Sequence, residues 1–323
     1  MTRSNKLSVC IATYNEEYNI GRCIESVYDW VDEIVVVDGT STDKTETIAK
    51  SYGNKVKVFV EKNVAMFHIN KQKALDKATG TWILQLDADE EITNDLREEI
   101  MHVLKSKVSM SERQETRDLQ TFRPSDNIIA YQIPRLNFFL GKPLRKGGQY
   151  PDYTIRLYKN GAAKFPCKSV HEQVEIVLGI SNTRFAEASA RRVEYRILKR
   201  GAKTLSDTKL AEQAAVEAKG PRQSQIGFLH NPINHYPYKT FSDYIAKWDR
   251  YCDLEAQLLY ERNIKLSAML FLQYFLFKPK IWFVISYFRH KGFMDGFPGY
   301  IFALFSSMRF FLIYIKLYEK THR

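Results

Sequence analysis

Glu33-Ile34-Val35-Val36-Val37-Asp38 is a β-branched run that ends on an acid and passes into Gly39-Thr40-Ser41-Thr42-Asp43-Lys44-Thr45. Uninterrupted β-branched runs of this length belong to strands buried on both faces, the usual state of a parallel sheet. Working outward, Leu7 to Ala12 reads as a second buried strand, followed by the polar turn Thr13-Tyr14-Asn15-Glu16-Glu17. Ile20, Cys23, Ile24 and Val27 then recur three or four residues apart, as one buried helix face requires. Ser41, Thr42 and Asp43 are N-cap residues for a helix expected near Lys44. Val56 to Val60 supplies a third strand, Asn70 to Lys77 a third helix, and Trp82 to Leu86 a fourth strand. This alternation of strand and helix predicts a mostly parallel sheet flanked by helices.

Sheets of this type bind ligands beyond the carboxyl ends of their strands. Asp38 and Asp87 are expected at two such ends. Asp87 and Asp89, one residue apart in Leu86-Asp87-Ala88-Asp89-Glu90-Glu91, share a face of an extended chain. Alone they read either as an acidic turn or as a clamp. Adjacent carboxylates repel unless a cation or basic partner holds them ionised. With a divalent metal they can grip a diphosphate.

The ordered set Ala12-Thr13-Tyr14-Asn15-Glu16-Glu17, Val36 to Thr45 and Leu86 to Glu90 resembles family 2 inverting glycosyltransferases of GT-A fold. Downstream, Tyr131-Gln132-Ile133-Pro134-Arg135, Gly147 to Tyr158, Val170-His171-Glu172, Lys291 to Gly296 and Tyr314 to Leu317 resemble a narrower branch. That branch contains the lipopolysaccharide-core glucosyltransferases. The resemblance implies a Rossmann-like α/β core and a nucleotide-sugar donor. It puts Thr13, Tyr14 and Glu16 at the nucleotide, Asp38 on the base or ribose, and Asp87 near the ribose. It also puts Mg²⁺ or Mn²⁺ on Asp89, with His235 as a further candidate ligand. His235 also reads as a buried, hydrogen-bonded histidine, and Asp38 as a helix-capping acid.

Inversion by direct displacement needs one general base at the acceptor hydroxyl. Glu172 is favoured, with His171 orienting it or completing the metal shell, and Asp152 is the runner-up. A solvated pair ending a strand is the competing reading of His171-Glu172. Among the cations Arg135, Arg145, Lys146 and Arg156, Arg156 is expected to be functional, and Lys247 to reach phosphate. A solvated face is the alternative for this group.

The chain has 323 residues and a net charge of +11. Residues 1–185 hold 26 basic and 25 acidic side chains, and residues 186–323 hold 22 and 12. The expected organisation is a catalytic core at 1–185, divided into a nucleotide-sugar half near 1–104 and an acceptor half near 128–185. A basic helical insertion at 186–228 and a helical, apolar, basic region at 229–323 follow. Charge of this kind beside apolar runs points to an anionic membrane surface rather than nucleic acid. The runs Ala268–Tyr287 and Tyr300–Tyr318 are broken by Lys278-Pro279-Lys280, Arg309 and Lys316. Helices lying in the interface fit them better than spans, and packing as ordinary core is the alternative. The polar stretch Lys105–Asn127 reads as a mobile loop, and 186–225 as an acceptor- or membrane-touching arm or a solvated helix.

The four cysteines show no metal-ligand spacing, Cys10 and Cys23 read as buried thiols, and no N-terminal signal peptide is evident. The expected protein is cytoplasmic and peripheral at the inner face of the membrane. It would move a hexose, from a UDP-sugar by preference, onto a cell-envelope glycan or glycolipid such as lipopolysaccharide core. The competing classes are a catalytically silent binding protein of the same fold and a sugar nucleotidyltransferase.

Overall fold

A computed structural model describes residues 5–63, 68–105, 128–167, 174–177 and 225–322. The chain divides into two compact units. As far as residues are described, one takes Met1–Ala88, Asn94–Ile133 and Thr154–His230, and the other Asp89–Thr93, Pro134–Tyr153 and Asn231–Arg323. These units cut across the consecutive blocks expected from sequence: 89–93 and 134–153 group with the C-terminal region. The insertion expected at 186–228 falls outside the described residues up to 224, as does the loop from residue 106 to 127.

In the first unit, β1 (Leu7–Thr13), β2 (Glu33–Asp38), β3 (Val56–Val60) and β4 (Trp82–Asp87) are parallel, in the order β3-β2-β1-β4. Every residue of β1 and β2 is buried, as their apolar runs demand. The helix α1 (Ile20–Tyr28) buries Ile20, Cys23, Ile24 and Val27, the four residues its periodicity singles out. Register then decides where chemistry can occur. Thr13 pairs with Asp38, and Ala12 with Asp87, so both acids end strands that flank β1.

The amino ends are closed by a buried network. Glu33 accepts from Ser8 Oγ (2.6 Å), Lys57 Nζ (2.8 Å) and Thr79. Burial alone would raise the Glu33 carboxyl, but these bonds lower it to about 2. Gly80 admits no side chain there, because a Cβ would lie 2.5 Å from Ser8 Oγ.

The second helix, α2 (Thr45–Ser51), begins beside Lys44, as expected, although Lys44 at its N-cap position makes no side-chain cap bond. Asp43, one of the expected cap residues, accepts from Thr45 N–H through Oδ1 at 3.0 Å. The mostly parallel sheet also takes in an antiparallel strand. Beyond β4, the strand β8 (Asp152–Lys159) runs antiparallel to it through Leu84↔Leu157 and Trp82↔Lys159. The third helix, α3 (His68–Lys77), packs over β1 and β2, with Ala74 and Leu75 joining Val35, Val37 and Tyr158 in the core. Cys10, Cys23 and Cys252 are buried, as expected for the first two.

In the second unit, β12 (Ile233–His235) pairs with β5 (Glu90–Ile92) antiparallel and with residues 135–137 of β6 (Ala130–Phe139) parallel. After β6, Leu140 (φ 50°) and Gly141 (φ 76°) form a two-residue hairpin turn with positive φ at both positions. It delivers Phe139 into an aromatic cluster with Tyr244, Phe302 and Tyr238.

The Phe241–Glu261 helix starts with a capping box between Thr240 and Asp243. Against it lies the Gly296–His322 helix, and the two share a core of Cys252, Ala256, Ile313 and Leu317. Lys316 Nζ lies 2.8 Å from both Asp249 and Asp253, and Arg309 lies 3.9 Å from Glu255. By length and composition, Ala268–Arg289 and Gly292–His322 are each apolar enough to cross a membrane.

Candidate active site

The loops that follow β1 and β2 are sewn together. Asn15 N–H donates to Ser41 Oγ (2.9 Å), Glu16 N–H to Thr45 Oγ1 (2.7 Å) and Glu17 N–H to Asp43 Oδ2 (3.1 Å). In return Asn15 Oδ1 accepts from Thr42 N–H at 2.8 Å. Asn15 sits at φ 55°, a left-handed conformation that Asn tolerates better than most residues. Ser41 and Asp43, read in the sequence as helix caps, therefore join Thr45 and Asn15 in a stiff double rim at the carboxyl ends of the strands.

On that rim Tyr14 is exposed, and Glu16 accepts from Asn19 Nδ2 at 2.7 Å. Thr13 is buried, and its hydroxyl has no hydrogen-bond partner among the described residues. Asp38, expected at the base or ribose, is wholly buried, with Oδ2 accepting Ser41 N–H (2.8 Å) and Oδ1 accepting Ser41 Oγ–H (2.5 Å). In this geometry the carboxylate fixes the turn after β2.

Asp87 is the electrostatic centre of the first unit. Arg156 Nη2 donates to Oδ2 at 2.8 Å, Lys71 Nζ lies 2.5 Å from Oδ1, and Gln85 Nε2 donates to Oδ1 at 3.1 Å. Arg156 Nη1 also bonds Gln85 Oε1. Burial pushes the Asp87 carboxyl up, but the two cations outweigh it and hold the group well below the usual carboxylate range. Two cations thus meet at one carboxylate at the end of β4.

Arg156 is thus placed on an expected site residue. Lys71 and Gln85 were missed. Gln85 was legible, because it shares Asp87's face of β4 at a spacing of two. Lys71 was not, since only the fold brings the first turns of α3 to the end of β4.

In the second unit, His235 Nε2 lies 3.4 Å from Asp89 Oδ2. His235 Nδ1 bonds Asn137 Oδ1 at 2.6 Å. An amide oxygen only accepts, so Nδ1 carries the hydrogen, and in the neutral ring Nε2 presents its lone pair toward the carboxylate. Tyr236 N–H donates to the Asp89 carbonyl at 2.8 Å and fixes the backbone of the acid.

A carboxylate and an imidazole lone pair facing each other, with the ring oriented from behind, is a donor set that accepts a divalent cation. Among the described residues no group of three or more His, Cys, Asp or Glu gathers as a metal site. The Asp89 carboxylate suits Mg²⁺, which is usually held by one or two carboxylates, water and substrate phosphates, whereas an imidazole ligand suits a softer divalent metal.

Other expected residues are engaged differently. Asp152 Oδ2 accepts from Arg135 Nε (3.0 Å) and Nη2 (2.6 Å), and Arg135 Nη1 lies 4.0 Å from the buried Glu90. Lys247, expected to reach phosphate, donates from its ammonium to the Pro237 carbonyl at 2.8 Å and lies over the Tyr238 ring. His171 and Glu172 lie outside the described residues.

Residues 8–162 match the model of the family described as "Glycosyl transferase family 2". The chain is 26% identical over 314 residues to the Rickettsia typhi protein named "Uncharacterized glycosyltransferase RT0209", covering 97% of this chain and 87% of that one. It is 22% identical over 318 residues to "Lipopolysaccharide core biosynthesis glycosyltransferase LpsC" of Rhizobium meliloti, covering 97% and 92%. Among solved structures, S. aureus TarS 1–349 in complex with UDP-GlcNAc matches at a TM-score of 0.43 and 16% identity, covering 97% and 88%. The mannosyltransferase PcManGT of Pyrobaculum calidifontis, with GDP-Man and Mn²⁺, matches at 0.44 and 13%, covering 97% and 87%. Residues 8–162 are a family 2 glycosyltransferase domain, and the chain that carries it is a glycosyltransferase.

Proposed function

We propose that this glycosyltransferase moves a hexose, with inversion, from a UDP-sugar to a glycan or glycolipid of the cell envelope, lipopolysaccharide core being the leading class. It would work in the cytoplasm, peripherally at the inner face of the membrane. The observation that carries the reading is the Asp89–His235 pair, with its imidazole oriented by Asn137. Asp89 and His235 would hold Mg²⁺ or Mn²⁺, which as a Lewis acid offsets the charge that grows on a departing diphosphate.

This chain's own residues supply the rest. Tyr14 and Glu16 stand on the stiff rim as nucleobase contacts, and the unpartnered Thr13 hydroxyl is a donor or acceptor for the nucleotide. Lys71 and Arg156 keep Asp87 ionised, and cationic groups at this strand end suit an anionic donor. Glu172 takes the proton from the acceptor hydroxyl, with His171 beside it. The acceptor oxygen forms its bond to the anomeric carbon as the bond to the nucleoside diphosphate breaks. Asp152, the alternative base, is held on one oxygen by Arg135, and this supports Glu172 instead.

Product analysis with UDP-, GDP- and dTDP-sugars and Mn²⁺ tests the reading. Release of nucleoside diphosphate is expected, whereas release of pyrophosphate indicates nucleotidyl transfer, and no turnover with any sugar nucleotide indicates a binding protein. Glu172→Gln should abolish transfer and keep donor binding. Near-normal turnover in that variant removes Glu172 from the mechanism.

A further inference from the structure

From Arg262 to Tyr318 the chain carries eight Lys or Arg and a single acid, Asp295. That acid is committed to the backbone. Its two carboxylate oxygens accept the N–H groups of Arg145 (3.2 Å) and Lys146 (2.8 Å). Gly147 N–H also donates to the His290 carbonyl at 2.9 Å, and Ser286 Oγ to the Gly147 carbonyl at 3.2 Å. These bonds pin the exposed Arg145 and Lys146 beside the exposed turn Arg289-His290-Lys291. Five basic residues from two stretches of chain therefore form one fixed patch.

The patch borders an apolar face. Along the Ala268–Arg289 helix, Phe277, Ile281, Val284 and Phe288 recur every three or four residues, and each is more than half exposed. Beyond the turn, Met294 (60%) and Phe297 (68%) are more exposed still. A continuous apolar surface of this kind, rimmed by charge of one sign, marks an interaction site.

The charge pattern selects the partner. A strongly basic rim suits an anionic surface, and an apolar stripe on a helix beside it suits the boundary between headgroups and acyl chains. A crossing is disfavoured by two observations. The Gly296–His322 helix directs Arg309 and Lys316 onto Asp249, Asp253 and Glu255 of the charged Phe241–Glu261 helix, which would have to enter the bilayer with it. Lys280, in the middle of the Ala268–Arg289 helix, is exposed.

We propose that residues 269–300 lie within one leaflet of an anionic phospholipid bilayer, with the apolar stripe below the headgroups and the basic patch on lipid phosphates. The proposal deepens the peripheral location given above and rests on it.

The test uses the full chain, sedimented with phosphatidylcholine vesicles that contain or lack phosphatidylglycerol. Partitioning should be at least ten-fold stronger on the anionic vesicles and weaken with salt. Arg289→Gln with Lys291→Gln should lower it about five-fold per cation. Phe288→Ser with Phe297→Ser should lower it at least ten-fold, and both pairs of changes should leave UDP affinity unaltered. Quenching of the exposed Trp282 by lipids brominated near the headgroup should exceed quenching by lipids brominated at the chain ends, with Trp282→Phe as the blank.

Equal partitioning into neutral vesicles, stronger quenching from the chain ends, or self-association of the chain without vesicle binding would overturn the proposal. Nucleoside diphosphate release is measured on the same preparations. Vesicle binding without release leaves this surface standing and removes the transfer reading. Release without vesicle binding does the reverse.

Discussion

Replacing Arg156 by Met tests the buried charge cluster most sharply. Met fills much of the same space and removes the guanidinium that donates to both Asp87 and Gln85. Opposite unit charges about 4 Å apart attract by about 4 kcal/mol at an effective dielectric near 20, and desolvation offsets much of that. Cutting one partner from a buried pair costs about 3–5 kcal/mol, because the other charge stays behind. Lys71 still holds Asp87, so Arg156→Met should fall near the lower end, about 3 kcal/mol. Asp87→Asn, which leaves two cations facing each other, should cost a similar ~3 kcal/mol.

The double variant should cost clearly less than the sum, with a coupling of about 2 kcal/mol. Urea unfolding of the four proteins provides the cycle. The sign with pH also follows. A depressed Asp87 contributes stability above its unfolded value, and that contribution is lost as pH falls through the folded value. Arg156→Met should therefore unfold at a higher pH on acid titration than the parent. Additive single changes within about 0.5 kcal/mol, or a loss below about 1 kcal/mol for Arg156→Met, would refute the cluster as an electrostatic unit.

Two further outcomes are expected. Glu33→Gln should lose on the order of 2–3 kcal/mol at neutral pH, since its carboxyl lies at about 2 against an ordinary value near 4.3. The stability gap from the parent should close as pH falls from about 4 toward 2, and a pH-independent gap in urea titrations would contradict this. His235→Ala should weaken Mn²⁺ binding in the presence of UDP by at least about ten-fold, and Asn137→Ala by less, as read by calorimetry. Unchanged Mn²⁺ affinity in His235→Ala would leave Asp89 without its partner.

Periodicity and strand chemistry were enough to read the first four strands and the first helix, because burial on both faces leaves no choice but β-branched runs. The placement of Asp38 and Asp87 at strand ends followed from the same runs. The bonds from Ser41 to both Asp38 oxygens did not, since a residue's type does not name its partner. The Lys247 bond to the Pro237 carbonyl (2.8 Å) was hidden for a related reason, because only the fold brings the two together. The antiparallel course of β8 was not legible, because a strand pattern carries no mark of direction. Lys71 stayed hidden because its partner, Asp87, lies sixteen positions along the chain and meets it only after the α3 crossover.

The interleaving of the two units also has a consequence for synthesis. The second unit collects residues 89–93, 134–153 and 231 onward, so β5 emerges from the ribosome long before β12, its antiparallel partner. The first unit's four parallel strands, complete by Asp87, can begin to pair while the rest is still being made, as N-terminal portions generally do. Asp89 must wait 146 residues for His235. A nascent chain thus builds the rim beyond β1 and β2 first and brings Asp89 and His235 together late.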